Sequence, residues 1–227
     1  MQLSTTFIFP ILALGTLSTV NAVDIHGQAR RSCATGEATV AICNNIPTNV
    51  CCLFPVGGLI AAGAYFSILQ DCDIGAWYDR TSSDRGCATV RDARSGPVNF
   101  LCLTGAARPG GGAAWFDLIA NLCNARKQKR LEISDVELAA QAGNCTGTMQ
   151  ATVLAYEGEG AWVLEPGSEA YEAYEKLPAT EDLDEHLSNM KALGTWYQSV
   201  DDHPAALAAL KRSNDVDQGP AFQAIGQ

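Results

Sequence analysis

The residues of this 227-residue chain with the most chemistry to offer are its nine cysteines, at positions 33, 43, 51, 52, 72, 87, 102, 123 and 145. No C-x2-C spacing recurs among them and no histidine lies between Cys33 and Cys145, so a zinc site is not expected. Such crowding reads instead as disulfides formed in an oxidising compartment. Cys33, Cys43, Cys51, Cys52, Cys72, Cys87, Cys102 and Cys123 are the disulfide candidates; because nine is odd, Cys145 is the candidate for an unpaired or interchain thiol. The adjacent pair Cys51-Cys52 carries geometry. In an extended segment neighbouring side chains point to opposite faces, so each would tie the strand to a different layer.

Other groups assemble no complete catalytic motif. The three histidines are His26, His186 and His203. None lies in the cysteine-rich stretch, so a Ser-His-Asp or Cys-His arrangement there would need another segment to reach in. Glycoside hydrolysis needs two carboxyl groups at a set separation, and the candidates are Glu37, Asp71, Asp73, Asp79, Asp84, Asp92 and Asp117. Most stand beside turn glycines or arginines, where turn and surface ion-pair roles account for them. Asp71-Cys72-Asp73 with Asp79 lacks the spacing of a calcium loop. Gly110-Gly111-Gly112 lacks the Lys-Ser/Thr of a phosphate loop and reads as a flexible turn. Catalytic residues, metal ligands and cofactors are expected to be none, and an enzyme is the second expectation.

What must position these residues follows from composition. At 47% hydrophobic and 18% charged the chain is not wholly disordered, and no run of about 18 apolar residues suggests a membrane span. Residues 1–22 have an apolar stretch from Phe7 to Leu17 and end in Val20-Asn21-Ala22, the pattern of a secretory signal cut after Ala22, although no Lys or Arg precedes the apolar stretch. Paired basic residues follow at Arg30-Arg31, Lys129-Arg130 and Lys211-Arg212. Cuts after Arg31 and Arg130 would divide the chain into a candidate pro-segment (23–31), a cysteine-rich domain (32–130) and an acidic C-terminal region (131–227). The pair at Arg130 equally suits a helix C-terminus.

The two large pieces differ physically. Residues 32–130 hold nine basic against seven acidic residues and eight cysteines, whereas 131–227 hold four against seventeen and only Cys145. The formal charge of −10 therefore belongs to the second piece. Asn144-Cys145-Thr146 is the N-glycosylation sequon.

The expected fold class is α+β: a small disulfide-rich β domain followed by an acidic, more helical region. Strands are expected at 50–54, 64–69, 87–90 and 98–103, rich in β-branched, aromatic and cysteine residues and separated by glycine and proline turns. Trp115, Leu118, Ile119, Leu122 and Cys123 fall at helical spacing, predicting a helix over 117–130. Ser134 with Glu137 starts another in the manner of a capping box. A hairpin is expected over 151–164. Leu183, Leu187, Met190 and Leu193 predict a helix whose first turn collects acids, and Pro204 to Lys211 a last one.

The layout of signal, dibasic pair, eight cysteines and Asn45-Ile46-Pro47-x-x-x-Cys51-Cys52 resembles small cysteine-rich secreted proteins of filamentous fungi, the effector-like and killer-toxin-like group made as kexin-processed precursors. Hydrophobins share eight cysteines but have two doublets, against one here. The resemblance implies a secreted, extracellular binding role. Its target would be a host or competitor protein, a cell-wall glycan or a membrane, and not nucleic acid. Trp77, Tyr78 and Trp115 are the candidate contact residues, since Trp and Tyr anchor many interfaces, while packing against disulfides in a small core explains them equally well. The alternative is a secreted glycoside hydrolase-like enzyme using paired carboxylates.

Overall fold

The computed structural model describes residues 22–29, 39–67, 69, 73–80, 86–95, 100–104, 110–117, 145–157 and 160–198. In chain order the strands are β1 (Ala22–Gln28), β2 (Thr39–Pro47), β3 (Val50–Leu53), β4 (Gly58–Leu59), β5 (Gly63–Ser67), β6 (Asp73–Asp79), β7 (Val90–Ser95), β8 (Phe100–Thr104) and β9 (Gly110–Asp117). Then come β10 (Gly147–Gln150), β11 (Thr152–Glu157), β12 (Gly160–Leu164), helix α1 (Glu169–Glu175), β13 (Ala179–Thr180), helix α2 (Leu183–Leu193) and β14 (Thr195–Tyr197). The fold is mostly β, with two short helices in its C-terminal part.

A seven-stranded sheet has the order β14-β12-β11-β2-β1-β5-β8 and a five-stranded sheet the order β10-β3-β9-β6-β7; β13 and β4 form a short third pair. The two large sheets share one core. Val23, Ile25, Phe66 and Leu103 from the first meet Cys52, Trp77, Ala113 and Trp115 from the second. Strand periodicity places them there: Val23 and Ile25 alternate with Asp24, His26 and Gln28, so one face of β1 is apolar. Trp115 is fully buried and donates its indole N–H to the Ile46 carbonyl at 2.7 Å, which joins β9 to β2 across the sandwich.

The two half-cystines of the doublet point to opposite faces of β3. Cys52 faces the shared core and bonds Cys43 on β2, while Cys51 bonds Cys87 in the 86–89 bend on the far side of the second sheet. Cys102 is also disulfide-bonded. Each such bridge stabilises by about 2–4 kcal/mol through restriction of the unfolded chain.

Several expectations change. The glycine run 110–112 is the start of β9, not a turn. A Cβ on Gly110 would meet the Trp77 indole at 2.2 Å, and one on Gly112 would meet the Cys52 carbonyl at 2.5 Å and the Cys51 and Cys87 sulfurs at 3.0 Å. Absent side chains let bulky neighbours cross the strand. Trp115 belongs to β9 and not to a helix, and Asp117 ends that strand. Cys87 lies in a bend, with β7 starting at Val90. The helices expected over 118–130, 134–141 and 204–211 lie outside the described residues.

The compositional boundary at Arg130 is not a boundary of the sheets. β11 pairs with β2 through Thr152↔Ile42 and Val153↔Ala41, and β10 runs parallel to β3 with Thr148 opposite Cys51. Acidic-region strands therefore extend both sheets built by the cysteine-rich segment. Likewise the candidate pro-segment 23–31 contains most of β1, which lies between β2 and β5.

The C-terminal elements form as their residues dictate. Asp182 caps α2, its carboxylate accepting from the Asp184 and Glu185 amides at 2.9 and 3.3 Å. Asp184 and Glu185 sit in the positive first turn, Lys191 in the last. Met190 and His186 form the buried stripe of α2 against Val153, Ala155, Leu164, Tyr171 and Tyr174.

Candidate functional site

The three aromatic residues expected at a contact surface are interior. Trp77 and Trp115 are fully buried in the shared core, and Tyr78 is buried on the opposite face of β6 among Ile74, Ala76 and Phe116. β6 is buried along its whole length, so both faces needed large apolar side chains. These residues build the core and offer no surface.

The exposed aromatic surface lies elsewhere. Among the described residues the exposed large apolar side chains are Trp196, 43% exposed, and Met149, 38% exposed. Trp196 stands on β14, at one edge of the seven-stranded sheet, directly opposite Trp162 on β12. Their ring centroids are 5.2 Å apart with planes tilted by 43°. Gly160 makes room for this: a Cβ there would meet the Trp196 ring at 2.1 Å. The indole thus lies across a glycine and against a second indole, while Trp162 packs on the α1/α2 core. The result is a ledge with a held inner ring and an accessible outer one. Sequence reasoning passed over both tryptophans. Their available signal was two tryptophans in short runs on either side of the two helices, each central in its strand, which become a pair only through antiparallel register.

Of the described candidate carboxylates only Asp73 and Asp117 are cross-strand neighbours. Asp79 is buried, with Arg91 at 3.8 Å, and Asp92 pairs with Arg94 at 3.0 Å. Asp73 and Asp117 stand opposite each other across β6 and β9, Asp73 buried and Asp117 exposed. Glu37, Asp71 and Asp84 lie outside the described residues, as do Arg31, Arg130, Asn144, Cys33, Cys72, Cys123 and His203. Ala22 opens β1.

Two histidines are buried. His26, on the β1 face turned from the shared core, packs its ring 5.2 Å from that of Tyr65, and burial lowers its pKa to about 3. His186 belongs to a satisfied chain of hydrogen bonds: the Leu59 amide donates to the Tyr174 hydroxyl at 2.8 Å, that hydroxyl donates to His186 Nδ1 at 2.9 Å, and Nε2–H donates to the Leu154 carbonyl at 3.2 Å. Burial lowers its pKa, the Leu154 carbonyl acting the other way. Gly58, at φ +63°, lets the Tyr174 ring approach the backbone.

Both imidazoles are neutral when folded and take a proton readily when unfolded. Stability from them is complete above the unfolded value of about 6.5 and is lost as pH falls below it, for His26 until about pH 3. For His26 the expected loss below the unfolded value is about 1.4 kcal/mol per pH unit; His186 adds a loss of the same sign. Denaturant unfolding at pH 7 and pH 5 measures it. Equal slopes in the wild type and in the His26→Gln and His186→Gln variants would exclude this account.

Cys145 is a free thiol, half-buried, with its sulfur 3.8 Å from the Tyr78 hydroxyl. The sulfurs of Cys51, Cys87 and Cys145 lie within 4.8 Å of one another.

No protein-family model, no curated protein and no solved structure matches the chain.

Proposed function

We propose that this is a secreted binding protein, effector-like or toxin-like, whose disulfide-bonded β-sandwich presents the Trp162–Trp196 ledge to an extracellular target. The observation that carries the reading is the half-exposed Trp196 indole, held across Gly160 and against Trp162. A large apolar ring kept accessible and rigid loses little entropy on binding, which suits it to anchor an interface. Secretion is supported by the signal-like residues 1–22 and by the disulfides, which persist in oxidising compartments. Processing after Arg31 and Arg130 remains part of the proposal. Because β1, β10 and β11 are shared elements of the sheets, such cuts in the folded chain would nick it and leave the pieces associated.

The experiment is a binding screen of the secreted protein against cell-wall polysaccharides, vesicles and surface proteins, repeated with Trp196→Ala. The expected loss is about 2 kcal/mol, close to thirtyfold in affinity, with a much smaller loss of thermal stability. A ligand bound equally by both forms would reject the ledge as its site.

A further inference from the structure

We infer that Cys145 is the third member of a sulfur exchange site, an internal thiol that trades the Cys51–Cys87 disulfide for a Cys51–Cys145 disulfide. This goes beyond the binding role and does not depend on it.

Three placements carry the inference. First, the three sulfurs lie within 4.8 Å of one another, so the thiol stands beside the disulfide it attacks. Second, the residue after Cys145 ties the lead-in to β10 against β3. Thr146 donates both its amide and its hydroxyl to the Asn49 carbonyl, at 2.7 and 3.2 Å, and Thr148 faces Cys51 in the parallel ladder. The Thr146 hydrogen bonds thus hold the Cys145 segment beside β3, whereas Cys87 sits in the 86–89 bend, between buried Gly86 and exposed Ala88, and is the sulfur that leaves. Third, Gly112 clears the floor of the site: any Cβ there would stand 3.0 Å from both bonded sulfurs.

The step balances without an outside oxidant or reductant. Cys145 gives its proton to solvent and its thiolate attacks the Cys51 sulfur. The Cys51–Cys145 bond forms as the Cys51–Cys87 bond breaks, and the electron pair leaves on Cys87, which takes up a proton. Burial raises the Cys145 pKa, with the Tyr78 hydrogen bond opposing that rise, so the resting thiol is protonated and exchange accelerates with pH. The consequence is a change of tether. Both described disulfides join residues before Arg130. The exchanged form releases the 86–89 bend and instead links residues on either side of the Lys129-Arg130 pair.

The test is thiol mapping on the full secreted chain, held at pH 8 without added thiol, quenched in acid and alkylated for mass spectrometry. The expected result is one labelled thiol per chain, since the cysteine count is odd, divided between Cys145 and Cys87. In Cys87→Ser the label should vanish, because Cys51 and Cys145 then bond each other; in Cys145→Ser no label should reach Cys87. The inference is overturned if Cys87 takes no label in the wild type, if Cys51 and Cys145 are both alkylated in Cys87→Ser, or if Cys145 is found bonded to any cysteine other than Cys51.

Discussion

A chain beginning at Ser32 is expected not to fold. It lacks β1, the strand that pairs antiparallel with β2 from Ala22↔Pro47 to Gln28↔Thr39 and with β5 from Asp24↔Ser67 to Gln28↔Gly63. Removing it leaves two inner strands with open edges and no covering of their ladder groups. Burial of Val23 and Ile25, both almost fully enclosed, contributes about 3–6 kcal/mol by itself. Lost backbone pairing adds to that. A domain holds only about 5–15 kcal/mol in total, so the deficit consumes most or all of it. Secreted yield, near-UV circular dichroism and amide dispersion of the Ser32–Gln227 chain against the Val23–Gln227 chain measure the effect. Equal dispersion and equal unfolding midpoints would show β1 to be dispensable and residues 23–31 to be a removable pro-segment. The expected outcome is the opposite: cleavage after Arg31 is tolerated only where the released end stays in the sheet.

Trp115→Ala is expected to destabilise the protein by about 3–5 kcal/mol. The side chain is fully buried at the meeting of the two sheets and its N–H satisfies the Ile46 carbonyl. Truncation opens a cavity and also leaves that carbonyl without its donor, a cost of about 1–3 kcal/mol when the group stays dry. Trp115→Phe helps to separate the two contributions, since it keeps most of the ring volume and loses the hydrogen bond. Urea unfolding of both variants gives the comparison. It also distinguishes core from contact residue. If Trp115→Ala lowered affinity for a ligand while leaving the unfolding midpoint in place, the buried position assigned to it would be wrong, whereas Trp196→Ala is expected to lower affinity far more than stability.

The local elements were legible where short-range chemistry decides them. Val50–Leu53, Gly63–Ser67 and Phe100–Thr104 are strands close to the expected ranges, because β-branched and aromatic runs bounded by turn residues favour extended backbone. The hairpin of β11 and β12 turns at Glu157 and Gly160, and α2 spans the leucines and Met190 that share one helical face. Asp182, Asp184 and Glu185 have helix-capping and first-turn roles that need no ligand. Misreadings share one cause. Gly110–Gly112 looked like a turn because a glycine's reason for being there was the Trp77 ring and the Cys51–Cys87 sulfurs, which are distant in the chain. Trp115 fits helical spacing equally well, since a single apolar residue in a mixed run does not distinguish a period of 3.6 from one of 2.

Cysteine chemistry shows the same division. Nine cysteines in a chain with a signal-like start imply disulfides and one odd thiol, and a doublet in an extended segment implies bonds to two layers; these follow from counting and from strand geometry. Which sulfurs meet does not, because connectivity depends on how strands far apart in sequence are stacked. The fold brings Cys145 of the acidic region beside Cys51 and Cys87. It also seats β10 and β11 in sheets begun by the cysteine-rich region, across the sharpest change of composition in the chain. Net charge reports how solvated a surface is, and backbone pairing is indifferent to it. Composition and residue type therefore determined that the chain is disulfide-bonded and rich in strands, its charge asymmetry and its odd cysteine count. Tertiary structure alone decided that the two halves are one pair of sheets, that Trp77 and Trp115 face inward and that Trp196 faces out, because burial is a property of partners that no local run of residues contains.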